Sequence, residues 1–198
     1  MRKAWEELAA RLPAYELVLP GAPSFECLIE RCPRHCCRIY NVSLGEWEVG
    51  RLARESGLSP SRFLESEDGV PLALPLAQPY TLRREAGQCA LLAPDMRCGQ
   101  YHGRPNACRL YPHFVLFVDG ETGRPVHGDL AGMDDAARAF LGGAEPTLTP
   151  VLLRHLDCPG FGGPPLGEAG WLALLRETCQ LQYGLLDPPE GAWTQDLA

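Results

Sequence analysis

The placement of sulfur constrains this chain more than any other feature. Nine cysteines are spread unevenly over 198 residues, and four fall within FECLIERCPRHCC, the stretch from Phe25 to Cys37. A thiol can be half of a disulfide, a metal ligand, a nucleophile or a small core residue, and each use demands different neighbours. The spacing C-x4-C-x3-C-C is followed by Cys89, Cys98 and Cys108, then by Cys158 in DCPGFGG, and finally by Cys179. Eight of the nine sit in turn-rich sequence beside Gly, Pro or charged residues. Core cysteines occupy apolar periodic positions instead, whereas ligands need backbone freedom to converge on one point. Cys179 is the exception. It lies in an apolar helical pattern near Leu175 and Leu181 and reads as a buried structural thiol.

Disulfides are the minority reading. The N-terminal stretch has no uninterrupted apolar run, because Glu6, Glu7 and Arg11 break it, and Trp5, Leu8 and Leu12 fall at amphipathic helix spacing. No other stretch approaches the length of a membrane span. The expected location is cytoplasmic, where thiols stay reduced, and an odd number of cysteines would leave one unpaired. The net charge of −7 argues against a nucleic-acid partner, which favours a basic surface. Lys3 is the only lysine, so Schiff-base and P-loop lysine chemistry are excluded. A protein partner is open; a membrane partner is not expected.

The chain reads as α+β, a loop-rich single domain of short helices and β-hairpins organised around a cysteine metal site. Residues 1–24 form an N-terminal helix (Trp5 to Leu12) and strand (Tyr15 to Leu19), residues 25–163 the cysteine-cluster domain, and residues 164–198 a C-terminal helix and tail. Within the middle segment Ile39 to Val42 is β-leaning, and Ser43 to Glu46 is a capping box opening a helix that stops at Gly57. Ser59-Pro60 starts another helix. Val70 to Gln78 is proline-studded and irregular or an edge strand. Tyr80 to Arg84 and Gln88 to Leu92 form a hairpin, and Pro105 to Leu110 a short helix. His113 to Val118 and Arg124 to Gly128 form a second hairpin, and Met133 to Leu141 a helix. The C-terminal helix, Gly167 to Tyr183, carries Trp171, Leu174, Leu175, Thr178 and Leu181 on one face.

Cys36 and Cys37 are adjacent. Neighbouring side chains diverge on a strand or a helix, so such a pair seldom closes on one tetrahedral ion. It suits two metal centres, or a polynuclear cluster plus one structural contact. Eight thiolates make two sets of four, the number that a structural zinc or an iron–sulfur cluster requires.

These motifs resemble the YkgJ-type cysteine-cluster proteins, a zinc- or iron-chelating family. Gly87, Cys89 and Leu92 match one of its elements. Arg104-Pro105, Cys108-Arg109 and Tyr111-Pro112 match its RPxxCRxYP run, and CPGFGG matches its CPG element. The first element departs, with longer loops between thiols, and instead resembles the flagellin lysine N-methylase branch. The resemblance runs from about Phe25 to Gly163. It implies metal ligation by Cys27, Cys32, Cys36, Cys37, Cys89, Cys98, Cys108 and Cys158, and leaves Cys179 outside.

An iron–sulfur cluster is favoured over zinc, since Cys32-Pro33 and Cys158-Pro159 place proline directly after a ligand, as in ferredoxin runs. The methylase-like motif leans the same way. His35 and His102 read as supporting rather than ligating, because thiolates complete the count. Arg104 and Arg109 flank Cys108 and would offset the negative charge of a thiolate site. The expected function is metal binding with a redox, sensing or structural role; the alternative is a metal-cluster-dependent protein lysine N-methylase-like enzyme. The chain shows no Gly-rich nucleotide loop for an ordinary methyl donor, no isolated C-x-x-C pair for thiol exchange, and no hydrolase motif.

Overall fold

The structure is a computed structural model, and it describes residues 5, 9–28, 32, 36–122, 124, 126, 130–144 and 148–185. In chain order the strands are β1 (Tyr15–Leu17), β2 (Ser43–Leu44), β3 (Ser66–Glu67), β4 (Val70–Pro71), β5 (Tyr80–Thr81), β6 (Arg84–Glu85), β7 (Gln88–Cys89), β8 (His113–Asp119) and β9 (Leu148–His155). The helices are α1 (Cys36–Ile39), α2 (Glu46–Ser56), α3 (Pro60–Phe63), α4 (Asn106–Leu110), α5 (Leu130–Gly142) and α6 (Glu168–Gln182). Helices and small antiparallel sheets mix along the chain, as the α+β reading expects. No helix among the described residues is long and apolar enough to cross a membrane. The chain divides into two compact units, Met1–Cys27 with Leu110–Leu186, and Leu28–Arg109 with Asp187–Ala198.

The first unit is built on an antiparallel sheet of order β1-β9-β8. Alternation along β8 and β9 sends side chains to two faces, and both are covered. Val115, Phe117 and Leu152 pack with Ala136, Ala137, Leu175 and Cys179 of α5 and α6. Leu116, Val118, Val151 and Leu153 pack on the opposite side with Trp5, Leu12, Tyr15 and Leu17. β8 is a sheet edge, and Gln182 closes part of it. The Val115 N–H donates to Gln182 Oε1 (2.7 Å), and Gln182 Nε2 donates to the Val115 carbonyl (2.7 Å). Cys179 is fully buried here, as its helical pattern indicated.

One expectation for this unit needs correction. The partner of β8 is β9, paired from His113↔Arg154 to Asp119↔Leu148, and not the segment Arg124 to Gly128. The chain does turn back after β8, since Asp119 N–H donates to Arg124 O (2.9 Å) and Val126 N–H to Phe117 O (3.2 Å), but no strand forms at Arg124 or Val126. Of that segment, residues 125, 127 and 128 lie outside the described residues, as do 6–8 of the N-terminal helix, where Trp5 and Ala9 are helical.

The second unit has a smaller core, formed by Leu44, Val49, Leu52, Phe63, Leu64 and Leu82. Around it run paired segments only two residues long: β2 with β5, β3 with β4, and β6 with β7. The β6–β7 hairpin turns through Ala86 (φ 47°) and Gly87 (φ 80°), the paired positive angles of a tight turn that glycine adopts most readily. The strand expected over Ile39 to Val42 is displaced. Ile39 ends α1, and pairing begins at Ser43. The cap of α2 shifts with it: Gly45, not Ser43, is the N-cap, and its N–H donates to Glu48 Oε2 (3.0 Å). Ser59 caps α3 with Pro60 first in the helix, as expected. The proline-studded stretch beyond β4 forms no regular structure.

Candidate metal centre

Four local structures in the second unit present thiols. α1 begins at Cys36 and Cys37. Cys89 ends the β6–β7 hairpin. Cys98 is bridged to Leu92, and Gly99 N–H donates to Leu91 O (2.9 Å), which closes the loop that follows β7 back on its own start. Cys108 lies in α4.

Helix α2 supports the last of these from below. A Cβ on Gly103 would stand 3.0 Å from Glu55 Cβ and 3.2 Å from Leu52 Cδ1, so the backbone lies directly on the helix. From the same helix Arg51 Nη2 donates to the Arg104 carbonyl (2.8 Å) and to Asn106 Oδ1 (3.0 Å). Glu48, only 3% exposed, accepts the Asn106 N–H at 2.6 Å with its other carboxylate oxygen. One buried carboxylate therefore caps its own helix and holds the first residue of the helix that carries Cys108. Backbone N–H groups satisfy it, which is what burial of a charge demands.

The thiols sense one another. Cys36 and Cys37 share a hydrogen bond, which lowers the pKa of Cys36 and raises that of Cys37; burial raises Cys37 further, and then the charges of Cys36, Cys89 and Cys108. Burial raises Cys89 and Cys98, with smaller upward contributions from Cys98 and Cys36 on the first and from Cys36 on the second. Cys108 is pushed up to about 12, first by burial and then by Cys89, Cys36 and Cys98. Burial and mutual repulsion both disfavour the thiolate forms of Cys37, Cys89, Cys98 and Cys108, and a bound cation would favour them.

Part of that compensation is already present. Arg104 lowers the pKa values of Cys36, Cys98 and Cys108, and Arg84 that of Cys89. Arg104 is fixed by stacking 3.6 Å from the Tyr101 ring centroid, while its Nε donates to the Tyr101 carbonyl (2.9 Å). The sequence pointed to Arg104 for this role. Arg84, Glu48 and Arg51 carried no local signal, because each works on residues distant in the chain.

The remaining candidates are distributed differently. Cys32 belongs to the second unit, whereas Cys27 and Cys158 belong to the first. In the first unit a ladder joins the segments bearing the last two: Glu26 N–H donates to Gly160 O (2.7 Å), Ser24 N–H to Pro164 O (3.0 Å) and Gly163 N–H to Ser24 O (3.2 Å). Gly160 is required by that approach, since a Cβ there would lie 2.5 Å from the Glu26 carbonyl oxygen. Cys27 directly follows Glu26, and Cys158 lies two residues before Gly160. His102 packs edge-on against Tyr101 (5.9 Å between rings); His35 lies outside the described residues. Among the described residues no three cysteine, histidine or carboxylate side chains already stand in position to hold one metal ion. The structure shows a neighbourhood of thiols rather than a closed coordination shell.

Residues 26–129, more than half of the chain, match a family model described as "CxxCxxCC: Putative zinc- or iron-chelating domain". The chain belongs to this family. The matched CxxCxxCC segment contains seven of the eight candidate thiols, with Cys158 beyond its end. Membership supports metal binding in general and is silent on the metal and on the methylase-like branch. No curated protein and no solved structure matches the chain.

The donor chemistry fits such a group. Thiolates bind zinc and iron alike, and cationic guanidinium groups stand beside them.

Proposed function

We propose that this chain holds an iron–sulfur cluster or zinc through clustered cysteine thiolates, with a redox, sensing or structural role. The ligands are drawn from Cys27, Cys32, Cys36, Cys37, Cys89, Cys98, Cys108 and Cys158, with Cys36, Cys37, Cys89, Cys98 and Cys108 forming the principal group. The observation that carries this reading is the gathering of those five thiols in one compact unit, on four local structures. Family membership supports it independently. The adjacent Cys36-Cys37 pair favours a polynuclear cluster, because two neighbouring thiolates fit several metal atoms better than one small ion. When bound, a cluster supplies one-electron chemistry, and zinc supplies a cross-link between loops. Anaerobic purification with elemental analysis and a visible spectrum tests the proposal. Brown protein containing iron and acid-labile sulfide supports the cluster, and colourless protein with stoichiometric zinc supports the ion. Protein that retains neither, even after reconstitution, overturns the reading.

A further inference from the structure

Arg84 begins β6, and its backbone N–H donates to Glu65 Oε1 (2.9 Å), which fixes where its side chain starts. The guanidinium then reaches three carbonyls. Nη1 donates to Tyr40 O (2.8 Å), and Nη2 to Arg38 O (2.7 Å) and to Gly87 O. These acceptors are not scattered. Arg38 directly follows Cys37, and Tyr40 is the residue after the last turn of α1; Gly87 is the hairpin residue two positions before Cys89. The last carbonyls of a helix have no partner within it, and Arg84 supplies donors to two carbonyls at the end of α1. A planar guanidinium can satisfy several carbonyls in one fixed geometry, which a flexible ammonium cannot.

We propose that Arg84 is a positioning residue of the thiol site, clamping the Cys36–Cys37 helix to the Cys89 hairpin so that their sulfurs meet one metal group. The inference rests on the metal-binding reading above for its affinity readout, and its thiol-reactivity readout stands without it. The clamp acts through backbone carbonyls, not through contact with metal, so its loss loosens the relative placement of two ligand-bearing elements. Groups that orient metal ligands from outside typically change affinity by about 10–100-fold when removed.

The test compares the full-length wild type with Arg84→Ala and Arg84→Lys. In the first arm each protein is titrated anaerobically with Zn²⁺ against a competing chelator. Arg84→Ala is expected to bind about 10–100-fold more weakly, with Arg84→Lys intermediate, because it keeps the charge and loses the fork. In the second arm the metal-free proteins are alkylated under native conditions and each cysteine is followed by mass spectrometry. Both variants should alkylate faster at Cys36, Cys37 and Cys89, while the rate at buried Cys179 stays unchanged; a merely global loss of stability would speed Cys179 as well. If Arg84→Ala fails to fold by circular dichroism, Arg84→Lys carries both arms. Wild-type affinity and wild-type alkylation rates in the folded variants would overturn the clamp while leaving metal binding intact. A wild type that binds no zinc and cannot be reconstituted with iron and sulfide would instead overturn the metal reading, and the alkylation arm would still decide the clamp.

Discussion

The two units solve the problem of stability by different means. The sheet unit buries both faces of β8 and β9, and its largest buried side chain, Phe117, sits between sheet and helices. Apolar area removed from water is sufficient there. The cysteine unit has a core of six buried residues, and its paired segments are two residues long. A short pairing contributes few backbone bonds against the entropy of ordering loops. What replaces area in that unit is directional bonding: Glu48 holding α4, Arg51 holding residues 104 and 106, Arg84 holding α1, and, on the proposed function, metal holding the thiols. Packing weighs more in the first unit and clamps weigh more in the second.

Metal removal should widen this contrast the most. Stripping metal anaerobically is expected to cost the cysteine unit on the order of 10 kcal/mol, the scale of structural zinc sites. Amide exchange should accelerate in α1, in the β6–β7 hairpin and in α4, and stay slow in β8 and β9. Core truncation should do the reverse. Phe117→Ala is expected to cost about 3–5 kcal/mol, the same with metal bound or removed, as measured by exchange in β8 and β9.

A third test uses pH. Burial, and then the Arg154 charge, lower the pKa of His113 from 6.5 to about 4. Between those values the unfolded chain binds more protons than the folded one. The stabilisation is therefore complete above about pH 6.5 and is lost as the pH falls towards about 4. The shift corresponds to about 3 kcal/mol. Urea midpoints followed in the sheet unit from neutral to acid pH should show this slope, and His113→Phe should flatten it. The smallest effect belongs to a partly exposed ion pair. Arg154 Nη2 lies 2.6 Å from Glu16 Oε2, with the glutamate side chain 47% exposed, so Glu16→Ala should cost about 1 kcal/mol or less and become cheaper in high salt.

What the sequence disclosed follows the same division. Features written in neighbouring residues were legible: the turn before Gln88, the Ser59-Pro60 helix start, and the apolar face of α6 with Cys179 on it. Strand β9 was not, because its apolar run Val151 to Leu153 has no polar alternation; both faces of the sheet are buried. The helical turn at Cys36 was missed because Ile39 and Tyr40 carry β preference that local context overrides. The clamps were missed for another reason. Arg84 and Tyr40 are 44 positions apart, and Glu48 and Asn106 are 58 apart; a polar contact at such range leaves no periodic trace.

The most direct measurement is X-ray absorption at the metal edge of protein purified without exposure to air. The account requires a first shell dominated by sulfur, at about 2.3 Å if the metal is zinc, which is lost when Cys36, Cys37, Cys89, Cys98 and Cys108 are replaced together by serine. A shell of oxygen and nitrogen, or a sulfur shell that survives those replacements, would contradict it.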